Sequence, residues 1–362
     1  MAVILTAVII CVVAGFINGS FATPTKYMEK WNEENIWFAF SFFGFLVLPI
    51  ITLFVMIPNF LTIYSTLPHG PILIAILGGI GFGLGQVFFA LAFRHIGIGL
   101  NFVINISMGT AGGALIPMLW NPQILGTVYS YVQILGMAIF VVAVIISAIA
   151  GKQRDASKGL LEDKKNANLF VGISFSILAG FGSMCQASTY AYSNGIIQNI
   201  AQNQDKIKLL PSGVIVWVFI FCSAFVPYAL YFLIKMIKNN SFVKFKNPSS
   251  SIYWMYLLLM GIGFWGSVVL FARASEEIGG KLAPTIAWPL FMVFIILTSV
   301  FWSFKSGEWK GADKKSIKKI HIAILLLVGA VLVFACNSIM KPKTNKVVQP
   351  KVNIISTQPV SK

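Results

Sequence analysis

The sequence predicts an all-α polytopic membrane protein with ten transmembrane helices arranged as two inverted five-helix repeats. Three observations support this prediction: an apolar composition, ten apolar segments of spanning length, and two short motifs that recur in the same order in each half. Of the 362 residues, 57% are hydrophobic and 10% are charged, and the mean hydropathy is +0.83. A soluble domain carries about 25% charged residues, so lipid is the expected solvent of this chain.

Each of the ten apolar segments is long enough to cross a bilayer, because a spanning helix needs about 20 predominantly apolar residues. The first segment is a span rather than a cleaved leader, because no basic region precedes it and the loop after it is charged and aromatic. We place spans 1 to 10 at residues 2–22, 35–57, 72–93, 97–120, 129–149, 168–194, 213–236, 251–273, 282–304 and 319–339.

Two recurring motifs indicate an internal duplication. FALAFRHIGIGL at 89–100 returns as FARASEEIGGKL at 271–282, and Ala-Gly-Phe at 14–16 returns at 179–181. Repeats with an odd number of spans face opposite ways, as in many secondary transporters. The predicted organisation is a first repeat at 1–150, a polar cytoplasmic joint at 151–167, a second repeat at 168–340 and a disordered polar tail at 341–362.

The net charge of +16 does not indicate nucleic-acid binding, because the basic residues lie in short loops between apolar segments. Odd-numbered loops hold 18 of the 27 lysines and arginines, even-numbered loops hold four, and the tail holds five. Cytoplasmic loops of membrane proteins are enriched in these residues. The bias predicts that the odd-numbered loops are cytoplasmic and that both termini lie outside.

Polar side chains inside the spans are the candidate substrate-binding residues, since a polar group in hydrocarbon must find a partner. Gln86 lies in span 3, and Asn101 and Asn105 share one face of span 4 because they are four residues apart. Gln186 and Tyr190 lie in span 6. Amides both donate and accept, which suits a polyol. The same groups are equally suited to hydrogen bonds between neighbouring helices.

Two tryptophans complete the candidate binding set. Trp265 lies in span 8, and Trp288 lies in span 9 beside Pro289. A proline inside a span marks a kinked helix, which is a recurrent feature of transporter sites. Indole faces stack on the apolar face of a sugar ring. Tryptophans also serve as interfacial anchors, and this alternative stays open.

Charged residues near the span ends are candidates for gating or coupling. Arg94 and His95 in the first motif copy correspond to Glu276 and Glu277 in the second, and Lys26 follows the end of span 1. The alternatives are solvated loop charges and, for Lys26, a side chain that reaches the interface. No Asp or Glu occupies the middle of a predicted span, so a buried carboxylate proton relay is not expected.

Nothing in the sequence predicts an enzyme, a metal site or a bound cofactor. The three histidines, His69, His95 and His321, are scattered without ligand spacing. A catalytic site would require a nucleophile, an acid–base pair or a metal cluster. The chain offers none of these arrangements within its spans.

The opening stretch AGFINGSFATPTKYMEKWNEENIW resembles the start of the L-rhamnose–proton symporter family. The likeness continues through Gly83, Gly85, Arg94 and Gly97 of span 3 to Gly-Glu-Trp-Lys-Gly at 307–311. The residues of the opening that carry it are Gly15, Gly19, Phe21, Pro24, Lys26, Trp31, Glu34 and Trp37. This resemblance implies the drug/metabolite transporter superfamily, with two inverted five-helix repeats and a central cavity lined by spans 1, 3, 4, 6, 8 and 9.

The predicted function is secondary active transport of a small neutral sugar or related metabolite across the inner membrane by alternating access. Protons are the candidate coupling ion, the bilayer is the chain's environment, and no nucleic acid is involved. One alternative is an exporter of drugs or metabolites on the same fold, which the apolar spans 8 and 9 favour. A second alternative is a non-transporting membrane receptor, and the absence of an appended soluble domain counts against it.

Overall fold

The computed structural model describes residues 2–56, 60–119, 124–159, 168–202, 213–278 and 283–339. Within these ranges the chain is helical and forms no strand. The described residues contain ten helical segments that are long and apolar enough to cross a membrane, which confirms an all-α polytopic membrane protein. The predicted tail at 341–362 and the end of the second motif copy at 279–282 lie outside the described residues.

The helices follow the apolar segments closely, and we keep the span numbers used above. Span 1 is Ala2–Ser20, and span 2 is Glu33–Ser41 continued by a π-helical turn at Phe42–Val47 and by Leu48–Met56. Spans 3 and 4 together form His69–Leu119. Spans 5 to 10 are Val128–Ser157, Leu169–Gln202, Gly213–Lys238, Ser250–Ile278, Ala283–Lys305 and Lys314–Ile339. Short helices lie at Thr23–Tyr27, Phe60–Thr66 and Ser241–Lys246.

The helical run His69–Leu119 contains a reversal of the chain. The Asn101 Nδ2 group donates to the carbonyl oxygen of Phe89 at 2.7 Å, and the rings of Phe89 and Phe102 lie 5.0 Å apart. Twelve residues of straight helix would separate Asn101 from Phe89 by about 18 Å. The chain therefore turns back between these residues, and spans 3 and 4 lie side by side as two spans.

Span 6 packs against spans 3 and 4, and span 1 packs against spans 8 and 9. Close approach of spans 3 and 6 depends on glycine. A Cβ on Gly182 would lie 2.6 Å from the carbonyl oxygen of Gly81 and 2.7 Å from the Cα of Gly85. Because both neighbours are backbone atoms, the two helices can touch at this point only without a side chain.

The pairing of spans 1 and 9 runs in parallel, as does the pairing of spans 6 and 4. Gly15 lies against Phe294 and Gly19 against Thr298, so both helices advance in the same direction. In the other pair, Gly180 lies against Met108 and Gly112 lies against Met184. Spans 5 and 10 pack on each other, and so do spans 2 and 7.

Polar side chains join spans 2 and 7 at one end of the bundle. Glu34 is only 3% exposed, and its Oε1 accepts a hydrogen bond from Asn239 Nδ2 at 2.8 Å. Lys235 Nζ lies 3.8 Å from Glu34 and 3.2 Å from Glu33. The buried Asn35 donates to the carbonyl oxygen of Ser241 at 3.0 Å. A buried carboxylate is tolerated here because it is hydrogen-bonded and lies next to a cation.

Candidate functional site

A cavity of about 160 Å³ lies between helices of the first half and helices of the second half of the chain. An engineered cavity of about 150 Å³ accommodates benzene, so this volume suits a ligand built on one six-membered ring. The wall comes from spans 1, 3, 4, 6, 7, 8 and 9. Its residues are Asn18, Phe82, Asn105, Ile106, Gly109, Thr110, Ser183, Gln186, Trp217, Phe221, Phe264, Val268, Phe271, Trp288, Phe291, Met292 and Ile295.

The polar part of the wall consists of amides and hydroxyls. Asn18 Nδ2 donates to Ser267 Oγ at 2.8 Å, which fixes the amide of span 1 and leaves its oxygen available as an acceptor. Asn105 Oδ1 accepts from Ser183 Oγ at 2.6 Å, which leaves the Asn105 Nδ2 group available as a donor. The wall therefore presents an acceptor from span 1 and a donor from span 4.

Two further polar residues complete this part of the wall. Gln186 is 6% exposed and can both donate and accept. The Thr110 hydroxyl is buried and has no hydrogen-bond partner among the described residues. A buried hydroxyl without a partner is costly, and a ligand hydroxyl would remove that cost.

The remaining wall is aromatic. The indole rings of Trp217 and Trp288 are nearly parallel, with an interplanar angle of 20° and centroids 6.0 Å apart. Trp288 Nε1 donates to the carbonyl oxygen of Gly109 at 3.3 Å, which ties span 9 to span 4. Phe221 stacks on Trp217 at 5.3 Å, and Phe271 meets Trp288 edge-on at 5.4 Å. These rings offer flat apolar faces beside the amides.

None of the described residues that line the cavity carries a charge. The described part of the chain also contains no group of three or more His, Cys, Asp or Glu side chains that could hold a metal ion. A charged ligand would lose its hydration without gaining a counter-ion, which is strongly unfavourable. The arrangement therefore suits a neutral ligand with hydroxyl groups on one side and an apolar face on the other.

Three of the seven predicted binding residues lie on the cavity wall: Asn105, Gln186 and Trp288. Asn101 is fully buried between helices, where it donates to Phe89 and its Oδ1 accepts from Ser176 Oγ at 2.6 Å. This is the helix–helix role that the sequence left open. Gln86 is half-buried and does not line the cavity.

Trp265 and Tyr190 also lie away from the wall. Trp265 Nε1 donates to Thr52 Oγ1 at 2.8 Å, so the indole joins spans 8 and 2. Tyr190 lies behind Trp217, with the two rings stacked and their centroids 4.4 Å apart. Tyr190 therefore supports a residue of the wall instead of contacting the cavity.

Sequence reasoning missed several residues of the wall, above all those of span 7. Nothing in the sequence distinguishes Trp217 and Phe221 from other aromatic residues of the spans, and Asn18 is not among the binding candidates named above. The position of Asn18 in the first repeat relative to Gln186 in the second was the available signal. For Trp217, no signal in a single apolar helix tells which face turns inward.

The sequence model of the family described as L-rhamnose-proton symport protein (RhaT) matches residues 1–340. The chain belongs to this family. It is 22% identical over 316 residues to the L-rhamnose-proton symporter of Yersinia pestis (strain Pestoides F), which covers 85% of this chain and 90% of the relative. The L-rhamnose-proton symporter of Cronobacter sakazakii (strain ATCC BAA-894) is 22% identical over 319 residues, covering 86% of this chain and 91% of the relative.

Membership of the L-rhamnose-proton symport protein family makes this chain a membrane transporter and not an enzyme. Together with ten apolar helices, the bacterial relatives identify a multi-pass protein of the inner membrane. The cavity is the natural place for a transported solute in such a protein, because solute sites of secondary transporters lie where helices of the two halves meet.

None of the charged candidates whose side chains are described lines the cavity, and Lys26 takes part in a cluster of ion pairs. Lys26 Nζ lies 2.9 Å from Glu308 Oε1, and Arg154 Nη1 lies 2.9 Å from Glu308 Oε2. Lys158 Nζ donates to the Glu308 carbonyl oxygen at 3.1 Å. The Arg154 guanidinium also lies 5.0 Å from the centre of the Trp309 ring. Lys26 after span 1 and two basic residues at the end of span 5 thus converge on one turn of the second half.

The Glu308 carboxyl has a pKa below its ordinary value. Partial burial raises the pKa, but the hydrogen bond and charge of Lys26 and the charge of Arg154 together outweigh that effect. The turn that presents Glu308 is bracketed by Gly307 and Gly311, whose φ values of 76° and 80° favour glycine.

The other charged candidates are spread along the bundle. His95 Nδ1 accepts from the backbone N–H of Asn168 at 3.3 Å, and the side chain of Arg94 lies outside the described residues. Glu276 Oε2 lies 3.6 Å from Arg273 Nη1, and Glu277 accepts a hydrogen bond from the same arginine. The described contact of His95 thus joins it to the start of span 6, whereas Arg273 of span 8 contacts both Glu276 and Glu277.

Proposed function

We propose that this protein imports a small neutral sugar together with protons by alternating access. The observation that carries the proposal is the uncharged cavity, in which amides and parallel indole rings meet between helices of both halves. Relatives that are L-rhamnose-proton symporters make a deoxy-sugar the first substrate to test. The bilayer is the protein's environment, and no nucleic acid takes part.

Recognition would divide between two sides of the cavity. Asn18, Asn105 and Gln186 hydrogen-bond the sugar hydroxyls, while Trp217 and Trp288 pack on the apolar face of the ring. A site that pairs hydroxyls discriminates strongly against analogues that lack them, because its own polar groups are then left unpaired. These five residues form the proposed binding set.

The conformational change would be a rocking of two inverted five-helix repeats, at 1–150 and 168–340, joined through 151–167. The matched packing of span 1 on spans 8 and 9 and of span 6 on spans 3 and 4 supports this division. If spans 1, 3 and 4 are exchanged with spans 6, 8 and 9, the contacts of span 1 become the contacts of span 6. The same arrangement supports membership of the drug/metabolite transporter superfamily. The lysine and arginine bias supports odd-numbered loops in the cytoplasm.

The ion cluster at Glu308 would hold one end of the pathway closed. Lys26 follows span 1, Arg154 lies at the end of span 5 where the joint begins, and Glu308 belongs to the second half. The ion pairs must therefore break if these helix ends separate. Lys26 is thus proposed as a gate residue. His95, Arg94, Glu276 and Glu277 remain candidates for gating or coupling.

The large aromatic share of the wall favours export of an apolar or amphipathic compound as a second candidate function. Six aromatic side chains border the cavity along with Trp217: Phe82, Phe221, Phe264, Phe271, Trp288 and Phe291. An exporter of such compounds would not need the directed amides of spans 1 and 4. Substrate binding to the purified protein separates the two functions.

Binding can be followed by the emission of the tryptophans at the cavity. We expect L-rhamnose or another neutral sugar to change this emission saturably, and the corresponding sugar phosphate to have no effect because its charge would be buried without a counter-ion. Trp288→Phe should abolish most of the signal. A sugar phosphate that binds as tightly as the neutral sugar, or saturable binding of amphipathic compounds alone, would overturn the proposal.

A further inference from the structure

The π-helical turn at Phe42–Val47 of span 2 presents one buried ring to the back of the cavity wall. Phe45 is 4% exposed, and its ring centroid lies 5.2 Å from that of Phe221 and 5.4 Å from that of Phe264. The Phe82 ring lies 6.4 Å from Phe45. All three neighbours line the cavity, whereas none of the described residues of span 2 does. Phe45 therefore supports the wall from behind and contacts rings from both halves of the chain.

The π-helical turn explains how span 2 places two phenylalanines against the same wall residue. The rings of Phe40 and Phe45 lie 5.5 Å and 5.4 Å from that of Phe264, and 5.8 Å from each other. On a regular α-helix, residues five positions apart point about 140° away from each other, which would turn one of the two rings away from this wall. The backbone N–H of Leu48 instead donates to the carbonyl oxygen of Phe43, five residues back, and this wider turn brings both rings to one face. Such turns are frequent at functional sites.

Two glycines allow span 8 to pack closely on the π-helical turn. A Cβ on Gly261 of span 8 would lie 2.9 Å from the Cβ of Phe43. A Cβ on Gly44 would lie 3.2 Å from two carbons of the Phe40 ring and 3.5 Å from the Phe264 ring. Because neither side chain is present, the wall ring that span 8 carries is held directly against span 2.

We infer that Phe45 sets the size of the ligand that the cavity accepts. The inference rests on the sugar-binding function proposed above. Protein interiors are closely packed, and removal of a buried ring leaves a space that the surrounding side chains fill only in part. Since those side chains here belong to the wall, loss of the Phe45 ring would let Phe221 or Phe264 move back and widen the cavity. Phe45 is thus a positioning residue that acts through the rings in contact with the ligand.

Binding of two neutral ligands of different size, followed by the emission of the cavity tryptophans, tests this inference. L-rhamnose carries one ring, and phenyl α-L-rhamnoside adds a phenyl ring like the one that Phe45→Ala removes. We expect Phe45→Ala to bind L-rhamnose more weakly and the phenyl glycoside more tightly. The ratio of the two dissociation constants should shift at least tenfold in favour of the larger ligand. Phe45→Leu keeps more of the side-chain volume and should shift the ratio in the same direction by a smaller factor.

Phe42→Ala is the matched control, because Phe42 belongs to the same π-helical turn but is 43% exposed. Its ring lies against Phe43, which is not a residue of the wall, so the ratio should not change. If Phe45 served only to stabilise the fold, its replacement would weaken the binding of both ligands by the same factor. An unchanged ratio in Phe45→Ala and in Phe45→Leu would therefore overturn the inference.

A measurement without sugar separates this inference from the proposed function, which fails if the unaltered protein binds no neutral sugar. Ser183 is half-buried and lines the cavity, so Ser183→Cys places a thiol there. Mass spectrometry gives the rates at which benzyl and methyl methanethiosulfonate modify this position. Addition of Phe45→Ala should raise the benzyl-to-methyl rate ratio at least tenfold. The same ratio with and without the Phe45 ring would refute the size limit whatever the substrate.

Discussion

At the scale of single residues, the account depends most on the amides that face the cavity. Asn105 is 7% exposed and is oriented by its hydrogen bond with Ser183. Asn105→Leu keeps a similar volume and removes the group that we assign to a sugar hydroxyl. A buried hydroxyl left unpaired costs about 1–3 kcal/mol, so we expect sugar uptake to fall about tenfold or more while membrane insertion is normal.

Uptake of labelled sugar, normalised to the amount of inserted protein, checks this prediction. Asn101→Leu is an informative companion, since Asn101 ties spans 4 and 6 together through Ser176 and does not line the cavity. It should reduce stability in detergent more than it changes the apparent affinity for sugar. Unchanged uptake in Asn105→Leu would remove this residue from the binding set.

These two asparagines also show where sequence reasoning ends. Both lie on the same face of span 4, and their chemistry is identical. Asn101 lies where the chain reverses and spans 4 and 6 touch, whereas Asn105 lies one turn further on, at the cavity. Only the rotation of span 4 and its distance from the neighbouring helices distinguish the two residues. Neither quantity can be predicted from a single sequence.

At the scale of helices, the contact between spans 3 and 6 requires glycine. In Gly182→Ala, the added methyl would meet backbone atoms of Gly81 and Gly85, which cannot move without displacing a helix. Overpacking of this kind costs about 1–3 kcal/mol, so we expect a lower melting temperature in detergent.

Gly266→Ala makes the matched control for this contact. Gly266 is also inside a span, but an added Cβ there would meet nothing within 4 Å, so its melting temperature should stay the same or rise. Equal melting temperatures for Gly182→Ala and the unaltered protein would contradict the close packing of spans 3 and 6.

The existence of the ten spans was predictable because an apolar segment of about 20 residues in a membrane protein forms a spanning helix. The local geometry and the exact ends of these helices were harder to predict. Span 2 contains a π-helical turn at Phe42–Val47, and span 5 continues to Ser157, inside the stretch predicted as a polar joint. Local helix geometry and the extension of helices beyond the hydrocarbon depend on tertiary contacts, such as those of Arg154 with Glu308.

At the scale of the whole molecule, Glu308 joins the turn before span 10 to Lys26 and Arg154, and we expect it to act as an ion-pair partner and not as the proton carrier. Because its pKa is lowered, the carboxylate is charged above its ordinary titration range near pH 4.3, and its ion pairs are lost only as the pH falls through the lowered value. Glu308→Gln should therefore alter the rate of uptake but leave its pH dependence between about pH 5 and 8 unchanged.

Initial rates of sugar uptake across this pH range provide the check. Lys26→Met is a useful second variant, since it removes one partner of Glu308 without touching the carboxylate. A flat pH profile in Glu308→Gln, combined with a normal profile in Lys26→Met, would identify Glu308 as a titrating group of the coupling mechanism and contradict this prediction.

The orientation of the molecule follows from the lysine and arginine bias and can be measured directly. We expect a phosphatase fused after the last residue to be active and a fluorescent protein at the same place to be dark, because both termini are predicted outside. The reverse result would place the Glu308 cluster at the outer face and exchange the sides assigned to the two ends of the pathway.

The most direct test of the central claim is sugar accumulation in proteoliposomes that contain only this protein. With an inwardly directed proton gradient, we predict that a neutral sugar such as L-rhamnose accumulates above its external concentration, and that a protonophore reduces the internal concentration to the external one. Saturable sugar flux that does not change with the imposed proton gradient, or no flux of any neutral sugar, would contradict the account.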